Sequence, residues 1–196
     1  MRTIPNIMTI LRICSLPFLI WAVLRDWYVA AFILLLAAGI SDAIDGVIAR
    51  RFKWQSRLGG VLDPLADKLL GASIYSSFSL RGVVPPWLGA LVIGRDVIIS
   101  LGALVLLLLG MKVVVNPSAL GKRTTGWQIG TAALAMLSVL PHAGPFVKDL
   151  GVLPFVFFVA GALTVASGTH YLYRSFKDYD NKALLKDIYR LKEGGS

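Results

Sequence analysis

The chain has 196 residues, a mean hydropathy of +0.71 and 56% hydrophobic residues, more apolar surface than a soluble domain of this size requires. A net charge of +9 would suit nucleic acid, but the chain has no soluble basic domain and no run of aromatics interleaved with Lys and Arg. Basic residues flanking apolar runs instead set topology and attract anionic head groups. The single cysteine, Cys14, excludes an intrachain disulfide and a cysteine metal cluster and is read as a packing residue.

Six apolar segments follow in chain order: 7–24, 28–49, 62–80, 87–110, 120–140 and 152–173. Runs of about 20 apolar residues are long enough to cross a bilayer. The expected fold is therefore all-α, a polytopic membrane protein with six transmembrane helices. No small-residue cleavage site follows the first run, so it is read as a retained span and not a signal peptide. Short connectors join the spans: Arg25-Asp26, residues 81–86 with the Pro85-Pro86 pair, and residues 141–149. The expected organisation is one membrane domain over 1–175 and a polar cytoplasmic tail over 176–196. In the tail, the spacing of Lys186, Asp187 and Arg190 permits a short surface helix.

With both termini on one side of the membrane, that side receives fifteen of the twenty Lys and Arg residues, including Arg50, Arg51, Lys53 and Arg57. The opposite side receives Arg25, Arg81 and Lys148. The positive-inside rule then places the termini and the 50–60 loop in the cytoplasm.

Four aspartates flank that loop in the pattern D-x2-D-G-x2-A-R-x8-G-x3-D-x3-D, from Asp42 to Asp67. A lone aspartate near a span end is ordinarily a cap or a solvated side chain. Four ionised carboxylates in or near a bilayer need a compensating partner. The cation suited to clustered oxygens is Mg²⁺ or Mn²⁺. Asp42 and Asp45 are three apart, Asp63 and Asp67 four apart, so each pair shares a helix face. Two antiparallel helices joined by a short loop would aim both pairs at one point. Four carboxylates suffice for two divalent ions clamping a phosphoryl displacement. Asp67, the deepest along its helix, is the candidate general base. Gly46 and Ala49 leave room for substrate, Arg50 suits phosphate, and Gly59 frees the loop to wrap a nucleotide.

This pattern resembles the signature of the CDP-alcohol phosphotransferase family at every position. The resemblance covers nearly the whole chain. It implies two divalent cations held by Asp42, Asp45, Asp63 and Asp67, with Asp67 as base. It implies that Gly46, Ala49, Arg50 and Gly59 surround the CDP moiety with Ser56 as a nucleotide contact, and that the protein is a homodimer. The implied reaction has an acceptor hydroxyl attacking the lipid-bearing phosphorus of CDP-diacylglycerol, with CMP leaving. His142 and His170 stand apart and are read as structural.

Outer segments bear on the acceptor. Pro5-Asn6-Ile7-Met8-Thr9 followed by Arg12, and Leu62 to Lys68, resemble both phosphatidylglycerophosphate synthases and CMP-forming cardiolipin synthases. Lys122, Thr125 and Gln128 lie in a G-K-x2-T-x2-Q pattern that also resembles both groups and would suit an acceptor phosphate. Gly94-Arg95-Asp96-Val97 resembles the cardiolipin synthases, with Arg95 either touching substrate or paired with Asp96. The preferred acceptor is phosphatidylglycerol, giving cardiolipin; glycerol 3-phosphate is the alternative. A reading from another class is a cation-conducting protein, which would need charges along a continuous path. The absence of an Arg/Ser-rich presequence favours a bacterial inner membrane over a mitochondrial one, with the site facing the cytoplasm.

Overall fold

The computed structural model describes the backbone of residues 4–52, 59–108 and 119–193, and the side chains of residues 9–41, 65–102, 104–105 and 119–174. Among the described residues every element is helical: α1 Ile4–Leu24, α2 Tyr28–Phe52, α3 Gly59–Leu80, α4 Pro86–Leu108, α5 Ala119–Leu137, α6 Gly144–Asp149 and α7 Leu153–Glu193. The six predicted segments correspond to α1–α5 and α7. The extra element, α6, is a six-residue helix inside the 141–149 connector, with Pro145 in its first turn where a missing N–H costs nothing. The predicted tail is not a separate helix: α7 continues 41 residues through Glu193, and no Gly or Pro interrupts residues 169–193.

The ends of α1 and α3 show how sequence sets the turns. Trp27 N–H donates to the Ala22 carbonyl (2.8 Å) and Asp26 N–H to Val23 (3.1 Å), with Asp26 left-handed at φ 61°. Val83 N–H donates to Phe78 (2.9 Å) and Gly82 N–H to Ser79 (3.2 Å), with Gly82 at φ 68°. Both are Schellman caps, which satisfy the last carbonyls and stop the helix.

Helix directions follow from paired contacts. Arg12 meets Asp67 near one end and Asp26 meets Arg81 near the other, each pair 55 positions apart, so α1 and α3 run parallel and in register. Arg95 with Ser167 and Ile99 with Tyr171 are each 72 apart, so α4 and α7 are also parallel. Lys68 meets Ser100 while Gly89 abuts Ser79, which makes α3 and α4 antiparallel. α1 packs on α2 and α3, α4 lies between α3 and α7, and α7 also packs on α5. A methyl on Gly89 would overlap the Ser79 hydroxyl and sit 3.2 Å from the Tyr75 carbonyl oxygen, so glycine sets that close α3–α4 approach.

The interior holds small and hydroxylated side chains beside Leu19, Phe78, Leu88 and Met136, among them Ser77, Thr124, Thr131, Ser138, Thr164 and Ser167. Most of these hydroxyls bond carbonyls in the preceding turn, as Ser77 does to Ser73 (2.7 Å) and Thr164 to Ala160 (2.7 Å). Large apolar side chains face outward instead, with Phe18, Phe155 and Phe158 each about two-thirds exposed. Among the described residues, Leu153–Arg174 of α7 is long and apolar enough to cross a membrane; Thr9–Leu24 and Tyr28–Ser41 are shorter apolar stretches. α3, α4 and α5 are interrupted by Asp67-Lys68, Arg95-Asp96 and Lys122-Arg123.

Candidate active site

The signature aspartates lie on two helices joined end to end. Asp42, Asp45, Gly46, Ala49 and Arg50 fall in the second half of α2, and Gly59, Asp63 and Asp67 in the first part of α3. The seven residue steps from Phe52 to Gly59 span at most about 25 Å, which keeps these two ends close. The side chains of Asp42, Asp45, Ala49, Arg50 and Asp63 lie outside the described residues, as do Ser56 and the surroundings of Gly46 and Gly59. Among the described residues no three acidic, histidine or cysteine side chains converge.

Asp67 is described. Its side chain is 57% exposed, and its Oδ1 accepts a 3.0 Å hydrogen bond from Arg12 Nη1. Arg12 itself is buried, its side chain 3% exposed. A carboxylate that is both solvent-accessible and held by a guanidinium is oriented, as a metal ligand or base must be. The donor set, four hard oxygen-bearing groups on neighbouring helix ends, fits Mg²⁺ or Mn²⁺.

Immediately beyond Asp67 lies a polar seam between α3, α4 and α7. Arg95 Nη1 donates to Asp96 Oδ1 (2.6 Å) and Arg95 Nη2 to Ser167 Oγ (3.0 Å). Arg95 Nε is buried and has no hydrogen-bond partner among the described residues. Lys68 Nζ donates to Ser100 Oγ (2.5 Å), and that hydroxyl in turn donates to the Asp96 carbonyl. Lys68 and Arg95 against Asp96 leave a net positive charge, which suits an anion.

The three α5 residues do not share one environment. Lys122 and Thr125 face outward, the Thr125 hydroxyl donating to Gly121 (3.1 Å). Gln128 is buried, its side-chain amide donating to Thr164 Oγ1 (2.9 Å) and its backbone carbonyl accepting from Tyr75 OH (2.8 Å). A three-residue step turns about 60° short of a full revolution, so two steps carry a residue well around the helix.

The aspartate signature assigns no role to two of the residues found here, Arg12 and Lys68. Arg12 belongs to the singled-out opening motif and Lys68 directly follows Asp67, so both were visible. Their placement depends on how α1 and α4 pack against α3.

Residues 2–168 match the CDP-alcohol phosphatidyltransferase family, and the chain belongs to it. Members of this family are membrane-bound enzymes that use divalent metal ions and act on CDP-diacylglycerol with glycerol-type or other alcohol acceptors. The chain is 31% identical over 185 residues to a cardiolipin synthase (CMP-forming)/mitochondrial hydrolase fusion protein of Schizosaccharomyces pombe, covering 86% of this chain and 30% of that protein. It is 30% identical over 186 residues to a probable cardiolipin synthase (CMP-forming) of Drosophila melanogaster, covering 87% and 56%. It is 32% identical over 142 residues to a CDP-diacylglycerol–glycerol-3-phosphate 3-phosphatidyltransferase of Aquifex aeolicus, covering 69% and 74%. The chain thus spans about a third to somewhat over half of the first two relatives' length.

Proposed function

We propose that the chain is a CMP-forming phosphatidyltransferase that moves a phosphatidyl group from CDP-diacylglycerol to phosphatidylglycerol, yielding cardiolipin. The observation that carries this reading is the intact aspartate signature on adjoining ends of α2 and α3 in a chain of this family. The relatives named cardiolipin synthase support the acceptor. The Aquifex relative supports glycerol 3-phosphate as the alternative.

The acceptor hydroxyl gives its proton to Asp67 and its oxygen attacks the phosphorus bearing the diacylglycerol. The bond from that phosphorus to the bridging oxygen breaks, and CMP leaves with the electron pair. Asp42, Asp45, Asp63 and Asp67 would hold two divalent cations, which neutralise charge on the diphosphate when bound. Gly46, Ala49, Arg50, Ser56 and Gly59 surround CDP. The cationic seam of Arg95 and Lys68, with Lys122 and Thr125 at the outer surface and Gln128 within, receives the acceptor's phosphate. The protein works as a homodimer in a bacterial inner membrane.

Six spans, with residues 1–175 forming the membrane domain and the site facing the cytoplasm, are supported by two features. α1 and α3 run together, α4 runs against α3 and α7 runs with α4, and the bundle turns phenyl rings outward and hydroxyls inward, the arrangement suited to lipid.

The test is purified protein with CDP-diacylglycerol, Mg²⁺ or Mn²⁺, and either phosphatidylglycerol or glycerol 3-phosphate, with lipid products read by mass. Cardiolipin and CMP are expected. Phosphatidylglycerophosphate alone would replace the acceptor and keep the reaction class. Asp67→Asn, which removes the base, and Asp42→Asn, which removes a cation ligand, are each expected to lower turnover at least about 100-fold. Full turnover in both, with cation flux through proteoliposomes, would establish the conducting alternative instead.

A further inference from the structure

The opening motif Pro5-Asn6-x2-Thr9-x2-Arg12 is not used by the reaction as written above. Thr9 and Arg12 are three residues apart, so they share one face of α1, and both are buried, 2% and 4% exposed. α1 packs on α3, and Arg12 reaches it. The buried guanidinium ends on Asp67, 3.0 Å from Nη1 to Oδ1, while the carboxylate remains more than half exposed. α1 and α3 do not need this pair as their only polar tie, because Asp26 and Arg81 join the same two helices about four turns away. As a tie alone, apolar side chains would serve as well as a buried ion pair. What an arginine adds is direction: a planar, permanently charged donor that fixes how a carboxylate is turned.

We propose that Arg12 is a positioning residue, holding the Asp67 carboxylate in the orientation in which it meets the divalent cation and the acceptor hydroxyl. The inference rests on the role proposed above for Asp67. It makes α1 part of the active site, although the aspartate signature lies entirely on α2 and α3.

The experiment compares Arg12→Gln, Arg12→Lys and Asp67→Asn with the parent as full-length protein in lipid nanodiscs. Three readouts are taken: Mn²⁺ binding without substrate, steady-state kcat and KM for CDP-diacylglycerol, and the thermal unfolding midpoint. Arg12→Gln is expected to weaken Mn²⁺ binding about 10-fold and to lower kcat about 10- to 100-fold, the range for losing a group that orients a metal ligand. KM is expected to stay within about threefold, since on this proposal Arg12 acts through Asp67 and not on the donor lipid. Arg12→Lys is expected to recover part of both losses, because the charge returns without the planar fork. If both Arg12 variants bind Mn²⁺ and turn over like the parent while unfolding at lower temperature, Arg12 only stabilises the helix pair and the proposal is overturned. Tighter Mn²⁺ binding in Arg12→Gln overturns it as well, since the guanidinium then acts as a repelling charge. If Asp67→Asn leaves Mn²⁺ affinity and kcat unchanged, the Asp67 reading itself fails, whatever the Arg12 variants do.

Discussion

Asp26 sits in left-handed backbone at the end of α1, where most side chains are strained but aspartate and asparagine are tolerated. Its carboxylate accepts from Tyr28 OH (2.6 Å) and from Arg81, closing the ends of α1 and α3. The Tyr28 hydroxyl, and after it the Arg81 guanidinium, hold the Asp26 carboxyl below its ordinary value of 3.8. A folded-state value below the unfolded one means stability that is complete above about pH 4 and is lost as pH falls through the folded value. The parent is therefore expected to lose part of its thermal stability below pH 4. Asp26→Asn, which keeps the turn but not the charge, should unfold at lower temperature at pH 7 and show less of that acid loss. Asp26→Ala, which also strains the turn, should unfold lower still, while Asp26→Gly should fall closer to Asn. Unfolding curves from pH 3 to 7 check this ordering; equal midpoints for all four proteins at pH 7 would mean the clip contributes nothing.

Between elements, close approaches set what substitutions the bundle accepts. A methyl on Gly144 would lie 2.7 Å from the Ser138 carbonyl oxygen, which is backbone and has little room to yield. Gly144→Ala is expected to cost about 1–3 kcal/mol, the usual penalty of overpacking, seen as a lower denaturation midpoint in detergent. Unchanged stability would show that the α5–α6 connection adjusts freely. The neighbouring α6 was not legible in the sequence: six residues led by Gly144-Pro145 read as a connector. The continuation of α7 is not legible either, because hydropathy falls near 175 while no Gly or Pro ends the helix there. By contrast, the stop of α3 was written in Gly82 and Pro85-Pro86. The aspartate pattern was legible because helical spacing is local. The Arg12–Asp67 pair was not, since it depends on α1 and α3 being parallel and in register, a tertiary property.

At the scale of the whole molecule, the directions of the helices make one prediction about sidedness. α1 and α3 run together, α4 runs against α3, and α7 runs with α4. α7 also returns along α5: Thr124 bonds the Leu163 carbonyl, while Leu134 and Val156 line one groove farther along. The start of α3 therefore belongs to one end of the bundle and the α5–α6 connection to the other. In the proposed topology the first end, with fifteen of the twenty basic residues, faces the cytoplasm, because translocating Lys and Arg is disfavoured. In a Cys14→Ala background, Gln55→Cys should react with a membrane-impermeant maleimide only in inside-out vesicles, and His142→Cys only in right-side-out vesicles. Labelling of both from the same side would require an even number of crossings between residues 59 and 137, not the three of α3, α4 and α5, and break the alternation. Labelling of Gln55→Cys from the outer side alone would put the aspartates away from the cytosol, where a soluble nucleotide product such as CMP could not be released for reuse. The sidedness of two residues thus decides whether the charge pattern, the helix directions and the proposed chemistry describe the same protein.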